Sequence, residues 1–313
     1  MKHWSPREDT SSAILQLIAE HSSDVFALVR PDMTFSYVSP SCDRLFVRPA
    51  SEVVGRHVSD FILAEDLPLL AEATRQVMAG TTTKVTVTLR VIRGDGTLLW
   101  VEVASRLIGE SELGQPGDRA VILRDVSERR ALEDELRAMA MKDGLTGLAN
   151  RRAFDEALVV EWKRMVRAKS HMSLLLIDVD NFKSFNDAYG HQVGDDCLRS
   201  IGAALVSAAC RPGDVVSRYG GEELAIILAG ADAAAAATVA ERARHAVAAL
   251  AIPNGLHDDR VVTVSVGAAT ALVREGGSAK LPEALLSSAD RALYAAKDAG
   301  RNRYCTGVLL VTA

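Results

Sequence analysis

"RYGGEELAII", Arg218 to Ile227, sets two glycines and two glutamates against a run of apolar residues. The flanking "VVSRY" and "ELAIIL" are β-prone and Gly220-Gly221 is a favoured two-residue turn, so the stretch predicts a β-hairpin. Glycine also lets backbone lie close against a ligand. Glu222 leaves that turn directly, with Glu223 behind it. Upstream, "MSLLLIDV" reads as a buried strand, and Asp178 and Asp180 lie two apart, on one face at its end. If the hairpin pairs beside that strand, Glu222 meets Asp178. Unpaired buried charge is costly, and gathered carboxylates suit a hard cation such as Mg²⁺ whose shell substrate phosphates complete. A capped strand end or a polar turn would explain either motif alone; their combination predicts a site.

The chain has 313 residues, 48% hydrophobic and 25% charged, which is the balance of globular domains and enough length for two of them. A net charge of −5 offers no electrostatic footprint for a nucleic-acid polymer, so a nucleotide partner should be small and site-bound. Cys42, Cys197, Cys210 and Cys305 show no CxxC spacing and read as reduced thiols. "MKHWSPREDTSS" lacks the apolar core of a signal peptide, and no run approaches the length of a membrane span. The expectation is a soluble cytoplasmic protein.

The first half predicts many strands. "VFALVRPDMTFSYVS" is a hairpin candidate about Pro31-Asp32, and "EDLPLLAEATRQVMAG" has helical spacing that ends at Gly80. In "KVTVTLRVIRGDGTLLWVEVASRLI" apolar and polar residues alternate, turn at "GDG" and return; "AVILRDVS" adds a strand. Cys42 reads as the start of a short helix, and a lone His57 is more often structural than a haem ligand. In Ser127–Gly144, Leu132, Leu136 and Met139 share one helical face among charges. That face suits a solvated linker or a short parallel coiled coil between two chains. From Asp143 helices and strands alternate to the last strand.

The first-half order, closing on "RDVSERR", resembles a PAS sensor domain. "DGLTGLANRRAF", "DVDNFKSFNDAYGHQVGDD", "RYGGEEL", "SVGAA" and "ADRALYAAKDAGRNRY" occur in the order and spacing of the GGDEF family of diguanylate cyclases. The resemblance implies a two-domain α/β (α+β) chain: tail 1–12, PAS domain 13–128, linker helix 127–142, cyclase domain 143–307 and tail 308–313. The cyclase fold is a nucleotidyl-cyclase-like palm, a mostly antiparallel central sheet flanked by helices. The implied reaction joins two GTP into cyclic di-GMP with release of two pyrophosphates. Asp178, the Val179 carbonyl and Glu222 would hold Mg²⁺ (or Mn²⁺), with Glu222 or Glu223 as base for the 3′-hydroxyl. Asn186 and Asp195 match guanine readers, a buried Asp195 favouring GTP over ATP. Lys297 and Arg301, four apart on one helix face, match triphosphate cations, and Lys183 is a further candidate. Gly220 and Gly221 leave room for the nucleotide. Leu224 stands where the family usually has phenylalanine, and should face the core.

In "CRPGDVVSRYGGEE", Pro-Gly favours a type II turn that draws Arg211 and Asp214 together. The position matches the family's product-inhibition site, with Arg244 as its second arginine and cyclic di-GMP as the ligand. The resemblance also implies a homodimer, since each cyclase domain holds one GTP. A catalytically weak cyclic di-GMP receptor or PAS scaffold is the alternative, and the PAS ligand is left unknown.

Overall fold

The strand "MSLLLIDV" becomes β6, His171–Val179, and from Met172 onward every residue of it is buried. Its lack of polar alternation has a direct cause: both faces are covered. Leu175, Ile177 and Val179 enter one core with Ile201, Leu205 and Val247. Met172, Leu174 and Leu176 enter another with Phe154, Leu158 and Leu293. The computed structural model describes residues 17, 19, 21–78, 82–108, 117–209, 211–255, 261–274 and 281–311. The expected N-terminal tail, the helix stop at Gly80 and Cys210 lie outside them. The chain divides into two units, Met1–Leu136 and Arg137–Ala313.

The second unit is a five-stranded sheet in the order β10-β9-β6-β8-β7, where β7 is Val215–Gly220, β8 Glu223–Ala229, β9 Val264–Val273 and β10 Tyr304–Val311. Every pairing is antiparallel except β9 with β10. Residues 308–311, expected to be a tail, instead pair with β9 as far as Val311 against Val273. Four long helices cover the sheet: α5 (Arg151–Ala168), α7 (His191–Ala209), α8 (Ala233–Ala248) and α9 (Glu283–Asp298), with the short α6 (Phe182–Tyr189) before α7. Asn150 caps α5 by accepting from the Ala153 N–H, and Asp232 caps α8 from the Ala235 N–H. Leu224 is fully buried in the α7/α8 core, as expected of the residue that replaces an aromatic.

The first unit is a five-stranded antiparallel sheet in the order β2-β1-β5-β4-β3. Its strands are β1 (Val25–Val29), β2 (Phe35–Val38), β3 (Lys84–Ile92), β4 (Leu98–Leu107) and β5 (Arg119–Asp125). Both predicted hairpins form, Leu28 opposite Tyr37 and Ile92 opposite Leu98. Among the described residues, three α-helices lie between β2 and β3, α1 (Cys42–Phe46), α2 (Ala50–Val53) and α3 (Leu67–Met78), with two short 3-10 turns before α3. Phe35, Phe46 and Phe61 meet with ring centres 5.1–6.3 Å apart at the core. His57 is exposed, its Nδ1 accepting from the Ser59 N–H as a turn cap, in keeping with its structural reading. The linker forms α4, Ser127–Ala140, and buries none of its residues. Among the described residues no helix is long and apolar enough to cross a membrane.

Two glycines of β9 and β10 set how closely α9 lies on the sheet. A Cβ at Gly267 would stand 2.2 Å from the Ala289 carbonyl oxygen and the Leu293 nitrogen, and one at Gly307 2.8 Å from Ser288 Oγ. Gly267→Ala therefore forces helix and strand apart, and a loss of about 1–3 kcal/mol is expected. At Gly202, inside α7, a Cβ meets side chains alone, the Leu148 tip at 3.2 Å and Thr146 Cβ at 3.6 Å. There alanine's helix propensity, about 1 kcal/mol over glycine, offsets the crowding. Urea unfolding should separate the two variants; equal midpoints would contradict the packing account.

Candidate active site

The end of β6 gathers the acids. Asp178 pairs with Glu223 of β8 on one side and Ser265 of β9 on the other. Asp178 continues the Leu174–Leu176 face, and Glu223 the Ala225–Ile227 face, so both carboxylates point toward α5 and α9. This corrects the expected register by one residue. The strands close through Gly220 opposite Glu223, so Gly221 (φ 49°) and Glu222 form the turn, and Glu223 rather than Glu222 stands opposite Asp178. The cause is a bulge between Arg218 and Gly220, where Tyr219 leaves the ladder. Its ring packs edge-on against Phe154, 5.1 Å away, beneath the Arg151 guanidinium at 3.6 Å. Glu222 still borders β6: its carbonyl accepts from the Val179 N–H at 3.4 Å.

Lys297 of α9 reaches over the close helix–sheet contact and sets its Nζ 2.8 Å from Asp178 Oδ2. Burial pushes the Asp178 carboxyl above its ordinary range; Lys297 opposes that, while Glu222 and Asp180 add to it. Glu223 is raised too, by burial first and then by Asp178, against Lys297. Acids held in this state call for positive charge. Among the described residues no group of three or more acidic, His or Cys side chains converges on one point. Two carboxylates with backbone oxygen and substrate phosphates nonetheless form a hard, all-oxygen donor set, so the residues fit Mg²⁺ or Mn²⁺. Asp180 does other work. It is buried, accepts from Thr263 Oγ1 at 2.8 Å, Ser265 Oγ at 2.7 Å and the Asn302 N–H at 3.1 Å, and so ties the end of β6 to β9 and to the segment after α9.

Asn186, on α6, turns its side chain over the first turn of α7, where a Cβ at Gly194 would lie 1.8 Å from Asn186 Oδ1. That oxygen is buried and accepts no hydrogen bond. Gly194 thus clears the space for Asn186; a glycine inside "HQVGDD" was the available signal. Asp195 is exposed, which corrects the expectation of a buried carboxylate. Lys183 is exposed at the start of α6. Arg301 does not share a helix face with Lys297: α9 ends at Asp298, and Gly300, Arg301 and Asn302 are all left-handed, at φ 111°, 61° and 45°. The Arg301 N–H closes on the Ala296 carbonyl in a C-terminal turn.

A residue the sequence reading missed is Asp143. It accepts from the Thr146 N–H and Oγ1 at 2.9 and 2.7 Å, and from Arg218 Nη1 at 3.3 Å, while Arg218 Nε donates to the Gly221 carbonyl at 2.8 Å. Burial alone would raise its pKa, but the Thr146 and Arg218 bonds together hold it low. Arg218 thereby fastens the glycine turn to the "DGLT" segment. The D-x-x-T pattern of a side-chain-closed turn was its signal.

Arg211 and Asp214 close the expected turn, with Gly213 at φ 104° and the Asp214 N–H donating to the Arg211 carbonyl at 3.1 Å. Asp214 Oδ2 is buried without a partner. Arg211 and Arg242 supply the positive charge felt by Asp214. Arg244 is engaged by Glu241 at 2.7 Å and Asn302 at 2.9 Å, and it is the charge of Arg242 rather than of Arg244 that acts on Asp214. The two lie two apart on α8 and therefore on different faces.

A family model for the diguanylate cyclase GGDEF domain matches residues 140–303, just over half of the chain, and a PAS fold model matches residues 19–131. The chain is similar to the diguanylate cyclase DgcM of Escherichia coli K12, 39% identical over 189 residues, 60% of this chain and 44% of that protein. An uncharacterized signaling protein of Caulobacter vibrioides is 34% identical over 267 residues, 84% of this chain and 31% of that protein. The chain thus spans less than half the length of these curated relatives. Among solved structures it is similar to the coiled coil and GGDEF domain of DgcB from Caulobacter crescentus in complex with c-di-GMP. That match has a TM-score of 0.51 and 34% identity, over 58% of this chain and 93% of that one.

Burial raises the Asp214 carboxyl above its ordinary 3.8, with Arg211, Arg242 and backbone N–H groups only partly offsetting it. A raised acid favours folding while protonated, and that contribution is lost as pH rises through the folded-state value. Asp214→Asn should therefore melt a few degrees above the parent at pH 8, at about 2–4 °C for each kcal/mol. The gap should close toward pH 4. A gap that does not vary with pH in thermal melts would contradict the assignment.

Proposed function

The chain belongs to the GGDEF-domain diguanylate cyclase family, and from that premise we propose that it condenses two GTP into cyclic di-GMP with release of two pyrophosphates. The observation that carries this reading is the Asp178–Glu223 pair: two strand-end acids on one face, both raised, with a cation against the first. Asp178, the Val179 carbonyl and Glu222 are the residues to hold Mg²⁺ or Mn²⁺, which when bound neutralises triphosphate charge. Glu223, whose carboxyl burial raises above its ordinary range, is the better placed of the two glutamates to take the proton of the 3′-hydroxyl. Gly220 and Gly221 offer bare backbone to the nucleotide. Asn186 Oδ1 supplies an acceptor for a guanine N–H donor, and exposed Asp195 a second. Discrimination against adenine then rests on the orphaned Asn186 oxygen, since a buried acceptor left unpaired is what a wrong base would cost. Lys183 and Arg301, both exposed, and Lys297, once released from Asp178, are the cations for phosphate.

Two regulatory features belong to the same reading. Cyclic di-GMP binds Arg211, Asp214 and Arg242 and restrains its own synthesis. Two chains pair through α4, whose Leu132, Leu136 and Met139 are 53%, 65% and 62% exposed, bringing two GTP-loaded domains together. The N-terminal unit, a PAS fold, supplies sensory control.

Incubation with GTP and Mg²⁺ should yield cyclic di-GMP, identified by mass spectrometry, and Asp178→Ala should reduce its rate by about a hundredfold or more. Absence of any cyclic dinucleotide from the parent chain would leave the receptor reading in its place. Arg211→Ala should raise the product concentration needed for half-inhibition by about tenfold, with turnover retained. Leu136→Lys with Met139→Lys should shift the chain to monomer in sedimentation and lower turnover with it.

A further inference from the structure

The PAS unit encloses a cavity of about 60 Å³ between its sheet and the helical segment before β3, walled by side chains such as Val29, Phe61, Leu70, Leu89 and Val121. Among the described lining side chains only Thr74, Ser105 and Arg119 are polar. Arg119 is 3% exposed. Its Nη1 donates to Met33 Sδ at 3.6 Å, a weak contact, while Nε and Nη2 have no partner, and neither has Ser105 Oγ. Burial is the sole cause acting on this guanidinium, and it weakens the charged form.

The same unit shows what that edge of an arginine does elsewhere. Arg90 turns Nε and Nη2 onto Asp66, at 2.9 and 2.6 Å, and Arg124 turns the same pair onto Asp24, at 3.0 and 2.6 Å. Each is a two-point grip on a carboxylate. Arg119 is more buried than either, presents the same two nitrogens, and faces an apolar cavity instead of an acid. A buried cation without a counter-charge is costly, and so are its two unmade hydrogen bonds.

We propose that this cavity binds a small monocarboxylate with a hydrocarbon body, its carboxylate gripped by Arg119 Nε and Nη2 and assisted by Ser105 Oγ. The apolar wall takes the hydrocarbon, and the cavity volume favours a short chain over a long one. A neutral lipid leaves the guanidinium unpaired, and a dianion brings a charge that nothing else in the wall receives. The inference extends the sensory reading of the PAS unit by naming its ligand class, and binding tests it separately from control of turnover.

The test uses the full chain and straight-chain monocarboxylates from acetate to octanoate, each against its primary alcohol and amide, by thermal shift and titration calorimetry. At least one carboxylate should bind saturably and about tenfold or more tighter than its neutral partners. Arg119→Met should erase that preference while raising the melting temperature of the unliganded chain, and Arg119→Lys should keep a weakened preference. Equal affinity for acid and alcohol, no binding across the series, or undiminished acid binding by Arg119→Met would overturn the proposal. The comparison of matched ligands on the parent chain decides the matter even if a variant fails to fold. Binding that leaves nucleotide turnover unchanged upholds the site and separates it from sensory control.

Discussion

A strand covered on both faces has one place to carry charge, which is where it leaves the sheet. β6 is such a strand, and the arrangement of the second unit follows from it. Its inner residues alternate between two cores, so no charged side chain lies between His171 and Asp178, and the buried hydroxyl of Ser173 is satisfied by the Ala231 carbonyl and Thr270 Oγ1. The acids at its exit need answering from neighbouring elements. Thr263 and Ser265 of β9 answer Asp180 with two hydroxyls and the segment after α9 adds a backbone N–H; α9 itself answers Asp178 with Lys297. Lys297 can do this because Gly267 and Gly307 let its helix lie almost on the strands. Hydrophobic burial, helix packing and site electrostatics are thus one problem solved at a single strand end.

The same rule sorts the polar groups elsewhere. Buried polar atoms without partners are uncommon in folded proteins, and each invites an explanation. Here Asn186 Oδ1, Asp214 Oδ2 and the Arg119 guanidinium are among them, each at a place proposed to take a ligand of matching polarity. Arg48 Nε and Asn254 Oδ1 are orphaned too, and the structure offers no account of either. By contrast, Asp143 and Asp66 are fully engaged by arginines that hold loops to strands. The contrast between engaged and orphaned groups, more than burial itself, separates scaffold from site.

Much of this was legible in the letters. The two sheets, the hairpins, the buried β6, the Pro-Gly turn and the inward Leu224 all follow from period, turn chemistry and apolar content. What the sequence hid were shifts of one or two residues. The Tyr219 bulge moved the turn because Phe154 and Arg151, distant in sequence, hold the ring. Arg242 and Arg244 look equivalent in the sequence, and only the face of α8 on which each lies separates them. Arg301 left the helix face because three successive residues turn left-handed, two of them not glycine. Gly194 and Gly267 stand in helix and strand patterns, where their purpose becomes visible only once the opposing atoms are placed.

The two aspartates of "DVD" carry a consequence for anyone mapping this chain by genetics. They sit two residues apart and look interchangeable, and under the proposed function an alanine at either would silence the same phenotype. Asp178 is buried against a single cation, whereas Asp180 is the knot that draws Thr263, Ser265 of β9 and the Asn302 backbone to the end of β6. On the proposed function, loss of the first removes a reagent from an intact vessel, while loss of the second deforms the vessel. A screen scored on output alone would give both the same label, and would teach nothing about which of them touches the reaction.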